Sequence, residues 1–259
     1  MAYTRTEFSD QIGTITLTHS QKRNALNREL LKEVVASLHD LENRKARVVI
    51  IRAEKGSKVW SAGHDISERP MPGRDPLGYD DPLELAIRTI ERLGAPVIAL
   101  LEGTVWGGAC ELAFTCDILI GTPDVTFAIT PAKIGVPYNP TGVLHFMSLA
   151  GMSVIKEMFF TAQPISAERA SDVGIVNHIV PADQIEEYTY TMARQIAQNS
   201  PLSISVIKEQ IRMLGKAHPL SPETFERIQG LRRKVYDSAD YREGPAAFLE
   251  KRRPRFTGE

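Results

Sequence analysis

The chain of 259 residues is 42% hydrophobic and 24% charged, with 31 Lys and Arg against 32 Asp and Glu. That composition excludes a disordered chain and fits one large α/β domain, or a domain with a small appendage, around a sizeable core. A net charge of -1 lacks the overall basic field of a general nucleic-acid binder, and 2 cysteines cannot build a disulfide scaffold. Cys110 and Cys116 lie in an apolar stretch without a His-x-x-x-His partner. They read as small core residues of a reducing compartment, not as a metal or redox pair.

No segment asks for a membrane. Met1 to Gly13 carries Arg5, Glu7 and Asp10 and has no apolar core of a secretory signal. Ile134 to Ile155 has no Lys, Arg, Asp or Glu, but Gly135, Pro137, Pro140, Gly142 and Gly151 would leave backbone groups unpaired in lipid. It reads as a buried loop followed by a helix, and the expected address is the cytoplasm.

In chain order, Ile12 to Thr18 alternates apolar and polar residues, the period of a half-buried strand. Asn27 to Leu41 places Leu30, Leu31, Val34, Val35, Leu38 and Leu41 on one helical face. Val48 to Ile51 and Pro96 to Leu101 read as buried strands, with a helix over Leu83 to Leu93 between them. Glu68 to Pro82 reads as a surface loop. A helix begins near Trp106 to Gly108, and short strands are expected at Asp117 to Gly121 and Val125 to Ile129. Beyond residue 143 the pattern is helical over Val143–Ala150, Val154–Phe160, Ala167–Val173, Gln184–Gln198, Pro201–Leu214, Pro222–Ser238 and Tyr241–Lys251, with an extended piece at Ile179 and Val180. Strands alternating with helices specify α/β but do not choose a doubly wound sheet over a spiral.

Two segments carry chemistry. Ser61-Ala62-Gly63-His64-Asp65-Ile66 sets two small residues beside a helix-capping aspartate. Glu102-Gly103-Thr104-Val105-Trp106-Gly107-Gly108-Ala109 leads a strand through glycines into a helix. The first amides of a helix have no internal acceptor, and glycines let them approach a ligand oxygen. Such a turn serves an anion or oxyanion site, or it serves tight packing.

Arg23-Asn24-Ala25-Leu26, Ser61-Ala62-Gly63-x-Asp65-Ile66, Ala95-Pro96-Val97-Ile98-Ala99, Gly107-Gly108-Ala109-Cys110-Glu111-Leu112-Ala113 with Cys116-Asp117, and Thr161-Ala162 through Ala170 to Gly174-Ile175-Val176-Asn177 occur in that order over nearly the whole chain. Together they resemble the crotonase (enoyl-CoA hydratase/isomerase) superfamily. The resemblance implies an α/β spiral of ββα units over residues 1–190 that holds the thioester site. It also implies a C-terminal helical region, 191–259, that packs in a homotrimer or a dimer of trimers. The expected partner is an acyl-CoA thioester, not nucleic acid or a membrane. Two backbone amides, at His64 and Gly108, are expected to stabilise an enolate at the thioester oxygen. The His64 imidazole itself reads as a locally bonded loop side chain.

Hydratases of that family place water with two glutamates. Glu111 stands at the first position, and Pro131 stands at the second, in Phe127-Ala128-Ile129-Thr130-Pro131-Ala132-Lys133-Ile134-Gly135. Proline has no proton to transfer, which argues against hydration. Glu111 fits either a direct role or a buried structural carboxyl. Gly56 to Ile66, Gly73-Arg74-Asp75-Pro76-Leu77, Gly103 to Gly108, Gly135-Val136-Pro137-Tyr138-Asn139 and Phe225 to Gly230 resemble one branch, which decarboxylates methylmalonyl-CoA to propionyl-CoA without biotin or metal. In that branch Tyr138 faces the substrate carboxylate and Thr130 faces substrate. Ala62, Gly63, Asp65 and Ile66 line the thioester site, and Lys22, Arg23 and Lys251 are the basic candidates for CoA, Lys251 from a neighbouring subunit. The alternatives are an enoyl-CoA hydratase or isomerase and a crotonase-fold RNA binder using the Lys251-Arg252-Arg253-Pro254-Arg255 tail. Against the second stands the near-neutral composition.

Overall fold

A computed structural model describes residues 2–68, 79–215 and 221–258. Residues 69–78 of the expected loop, with the run Gly73 to Leu77, lie outside the described residues. The chain opens with an antiparallel pair, β1 (Thr4–Ser9) and β2 (Ile12–Leu17), and then α1 (Arg28–Asn43). Asn27 starts α1 by accepting the Leu30 amide at 2.8 Å on its side-chain oxygen. The predicted stripe from Leu30 to Leu41 is buried along this helix.

Three strand–strand–helix turns follow. They are β3 (Val48–Ala53), β4 (Val59–Ser61) and α2 (Pro82–Arg92); β5 (Val97–Leu101), β6 (Thr104–Trp106) and α3 (Gly108–Phe114); and β7 (Ile118–Gly121), β8 (Thr126–Ala128) and α4 (Pro140–Leu149). The first strand of each turn joins a six-stranded sheet, and the second joins a four-stranded sheet. β3, β5 and β7 are parallel neighbours in one, as β4, β6 and β8 are in the other. A doubly wound fold would keep its strands in one sheet. Here the chain steps from one sheet to the other at every turn, and the architecture is a spiral.

Then come α5 (Met152–Thr161), β9 (Ile165–Ser166), α6 (Ala167–Asp172), β10 (His178–Ile179), α7 (Ile185–Ala197), α8 (Pro201–Gly215), α9 (Pro222–Tyr236) and α10 (Ala239–Leu249). Both faces of the central strands are buried. Val49, Ile51, Val97 and Ala99 pack toward α1 and α2, whereas Val48, Ile50, Ile98 and Leu100 pack beneath Ile185 and Ala193 of α7. That two-sided burial explains the continuous apolar runs of β3 and β5. Cys110 and Cys116 are free and buried in the core.

Two expectations change. β2, read as half-buried, is buried at all six residues, on both faces. The stretch after Ile134 is not one buried loop and one helix: Asn139 caps α4 from Pro140, and only Gly142 and Phe146 of that helix are buried. α8 packs loosely against the core. It has no buried residue, and Leu202, Ile211 and Leu214 are exposed. Its Lys208 ammonium donates to the carbonyls of Ile90 and Ala95 and to Asp117 Oδ2, at 3.1, 3.0 and 2.7 Å.

Candidate active site

The segment after β4 is held by a parallel run of the chain. The Ala62 amide donates to Arg23 O at 3.0 Å, Leu26 N to Gly63 O at 2.8 Å, and Asp65 N to Leu26 O at 3.1 Å. Buried Asn24 donates to Trp60 O, and buried Ser61 donates to Asn24 O, at 2.9 and 2.6 Å. The Arg23–Leu26 run therefore acts through its backbone, as a splint for residues 61–65, while the Lys22 and Arg23 side chains are exposed. Asp65 caps the next turn as expected, its Oδ1 accepting the Ser67 amide at 2.9 Å. That short 3₁₀ turn begins with half-buried Ile66.

Glycines bring this segment onto the start of α3. Gly63 has φ +87°, and a Cβ there would collide with Trp106 O and come within 3.1 Å of the Gly108 nitrogen. Gly107 (φ 58°, ψ −127°) occupies a conformation reserved for glycine and donates to Ala128 O at 2.8 Å. A Cβ on Gly108 would stand 3.6 Å from the His64 nitrogen and 3.0 Å from Leu83. The amides of His64 and Gly108 thus meet at one spot, under the first turn of α2. Thr130 borders it, because a Cβ on Gly107 would lie 3.3 Å from its hydroxyl.

Beyond Gly108, the same helix carries Glu111, buried to 1% exposure. Its Oε1 accepts from Asn139 Nδ2 at 3.5 Å, and that amide also donates to Oε1 of buried Glu84 at 2.9 Å. Burial first, then the Glu84 charge, push the Glu111 carboxyl up to about 8. The Tyr138 ring packs edge-on against Phe146 and Phe159, at centroid distances of 5.6 and 5.0 Å. Burial, with the Glu111 carboxyl beside it, pushes the Tyr138 hydroxyl well above its ordinary value. The Tyr138 hydroxyl and the Glu111 carboxyl lie close enough to act on each other through a hydrogen bond. Pro131, which stands where the hydratase resemblance expects a second glutamate, opens the 3₁₀ turn Pro131–Ile134.

The structure therefore gathers Ala62, Gly63, His64, Gly107, Gly108, Thr130, Glu111 and Tyr138 about one corner. Against burial, which raises it, the hydrogen bonds from Ser67 hold the Asp65 carboxyl below its ordinary value, with a smaller pull from Lys22. Lys251 is exposed just past α10. Sequence reasoning missed Glu84 and Asp81. The Asp81-Pro82 start of α2 was a readable capping signal, Asp81 Oδ1 accepting the Leu83 amide at 2.8 Å. Glu84 falls on the buried side of α2, three residues before Ile87.

A family model described as enoyl-CoA hydratase/isomerase matches residues 7–259. Methylmalonyl-CoA decarboxylase of Escherichia coli K12 is 47% identical over 249 residues, covering 96% of this chain and 95% of its own length. A probable mitochondrial enoyl-CoA hydratase 2 of Arabidopsis thaliana is 32% identical, covering 94% of this chain and 81% of its own. A solved structure of methylmalonyl-CoA decarboxylase complexed with 2S-carboxypropyl-CoA superposes with a TM-score of 0.98 at 46% identity, covering 100% of this chain and 99% of that one. The chain belongs to the crotonase, or enoyl-CoA hydratase/isomerase, family.

Proposed function

We propose that this chain is a lyase that decarboxylates methylmalonyl-CoA to propionyl-CoA and CO2. The observation that carries the reading is 47% identity with the Escherichia coli methylmalonyl-CoA decarboxylase over 96% of the chain. The site geometry supports it. Hydratases of this family use a second glutamate beside the first, and at the matching position this chain has Pro131, which carries no proton.

The thioester oxygen accepts from the His64 and Gly108 amides, with Ala62, Gly63, Asp65 and Ile66 shaping the wall around it and Thr130 beside it. When the C–C bond to the carboxylate stands perpendicular to the thioester plane, its electrons enter the carbonyl π system and CO2 departs. The resulting enolate oxygen is held by the two amides, each worth about 2.7–4 kcal/mol of transition-state stabilisation in acyl-transfer sites, until a proton drawn ultimately from solvent adds to the α-carbon and gives propionyl-CoA. Tyr138 holds the leaving carboxylate in that orientation, and the aromatic wall of Phe146 and Phe159 keeps water away. The electron sink is the thioester itself, so the reaction needs neither biotin nor a metal.

CoA lies along Lys22 and Arg23 of one protomer and Lys251 of a neighbour. The helical region 191–259 packs in a homotrimer or a dimer of trimers, which would cover the exposed Leu202, Ile211 and Leu214 of α8. No helix among the described residues is long and apolar enough to cross a membrane, and the proposed address is the cytoplasm. Mass spectrometry of products from methylmalonyl-CoA, malonyl-CoA and crotonyl-CoA tests the reading. Loss of 44 mass units (CO2) from methylmalonyl-CoA is expected, and water added to crotonyl-CoA with methylmalonyl-CoA intact would overturn it.

A further inference from the structure

Glu111 lies three residues after Gly108 on α3, and helical side chains lean back toward the N-terminus. Its carboxyl therefore leans toward the turn whose first amide meets His64. Residues of three other segments close around it. Asn139 bridges it to Glu84 through one amide nitrogen, at 3.5 and 2.9 Å. Gly142 makes the room: a Cβ there would stand 2.6 Å from Glu111 Oε1 and collide with the Tyr138 ring. Tyr138 and Glu111 thus occupy one pocket, and the buried hydroxyl and carboxyl lie within hydrogen-bonding reach of each other.

The charges around this pocket are negative. Glu84 and Asp81 of α2 both act on Glu111, while Arg88 reaches Glu84 at 4.0 Å and makes no ion pair with Glu111. Tyr138 and Asn139 face it from the segment before α4, and Cys110 precedes it on its own helix. His64 is felt by Asp81 on the far side of the oxyanion corner, and His145 of α4 points to Thr115 at 3.4 Å. An ionised Glu111 would do two things here. It would accept a strong hydrogen bond from the Tyr138 hydroxyl, and it would repel a second carboxylate entering beside it.

We propose that Glu111 is a positioning residue that must carry a proton for Tyr138 to offer its hydroxyl to the substrate carboxylate. The proposal rests on the decarboxylase reading and deepens it. Protonated, Glu111 is neutral and only a weak acceptor, so the Tyr138 hydroxyl can turn to the ligand. Ionised, it takes that hydroxyl for itself and closes the pocket to anions. Burial and the Glu84 charge place this change in the accessible pH range, at about 8. A thioester without the carboxylate, such as propionyl-CoA, has no stake in it.

The test compares KM for methylmalonyl-CoA and Kd for propionyl-CoA across pH 6 to 9.5 in wild type and Glu111→Gln. Both ligands share the titration of CoA, so only the carboxylate distinguishes them. In wild type, KM should rise about tenfold per pH unit above the Glu111 ionisation, as for one essential proton, while Kd stays level. In Glu111→Gln, KM should lose that rise. Glu84→Gln supplies a second readout should the first variant fold poorly: removing its charge should move the rise to lower pH. A wild-type KM that is level to pH 9.5, a rise that persists in Glu111→Gln, or a rise unmoved in Glu84→Gln would overturn the role of Glu111. Wild-type protein that releases no CO2 from methylmalonyl-CoA would overturn the decarboxylase reading instead.

Discussion

Gly63 lies so close to Trp106 that any side chain at residue 63 would collide with the Trp106 carbonyl oxygen. This contact sets the His64 amide against the start of α3. Gly63→Ala would also have to hold alanine at φ +87°, a strain on the order of 1–3 kcal/mol. The expected outcome is a folded but less stable protein whose kcat falls about 10²–10³-fold, the usual loss of one oxyanion donor. Thermal melting and steady-state turnover of the purified variant check both parts.

Tyr138→Phe keeps the ring contacts to Phe146 and Phe159 and removes the buried hydroxyl beside the Glu111 carboxyl. Stability should fall by no more than the roughly 0.5–1.5 kcal/mol of one hydrogen bond. Turnover of methylmalonyl-CoA should fall on the order of 10²-fold from lost orientation, with propionyl-CoA binding unchanged. Equal turnover would return Tyr138 to a packing role.

Stability should depend on pH through Glu111. A solvated glutamate titrates near pH 4.3, about, and the folded Glu111 at about 8. Between these values the folded chain holds a proton that the unfolded chain has released, so unfolding free energy falls as pH rises through the window. Glutamine has no such proton. The melting temperature of wild type minus that of Glu111→Gln should therefore decline from pH 5 to pH 8, and parallel curves would contradict the shift.

Most of this fold was legible where burial imposes a period. The stripe of α1 and the unbroken apolar runs of β3 and β5 read directly, because each is packed on one or two faces along its whole length. β4 and β6 escaped because three residues, Val59–Ser61 and Thr104–Trp106, are too short to show alternation. β1 escaped because its strand TRTEFS shows no buried residue. The step between sheets that makes the spiral is a long-range pairing, and no local pattern encodes it. At the site, the glycine turns at Gly63 and Gly107–Gly108 were visible as motifs. Glu84 was not, since its partner Asn139 is 55 residues away in sequence.

Chelators and avidin should leave decarboxylation unchanged, since two backbone amides and a thioester suffice as the electron sink. Assays with EDTA, and separately with avidin, check this against untreated enzyme. Activity lost with EDTA and restored by a divalent ion would require a metal-dependent step.

The most direct measurement is the ratio of kcat/KM for methylmalonyl-CoA decarboxylation to that for crotonyl-CoA hydration, on one preparation without biotin or added metal. With Tyr138 beside Glu111 and, on the proposed correspondence, Pro131 in place of the hydratase's second glutamate, the ratio should exceed unity by orders of magnitude. A ratio below unity, with water added to crotonyl-CoA and the methylmalonyl carboxylate retained, would contradict the assignment.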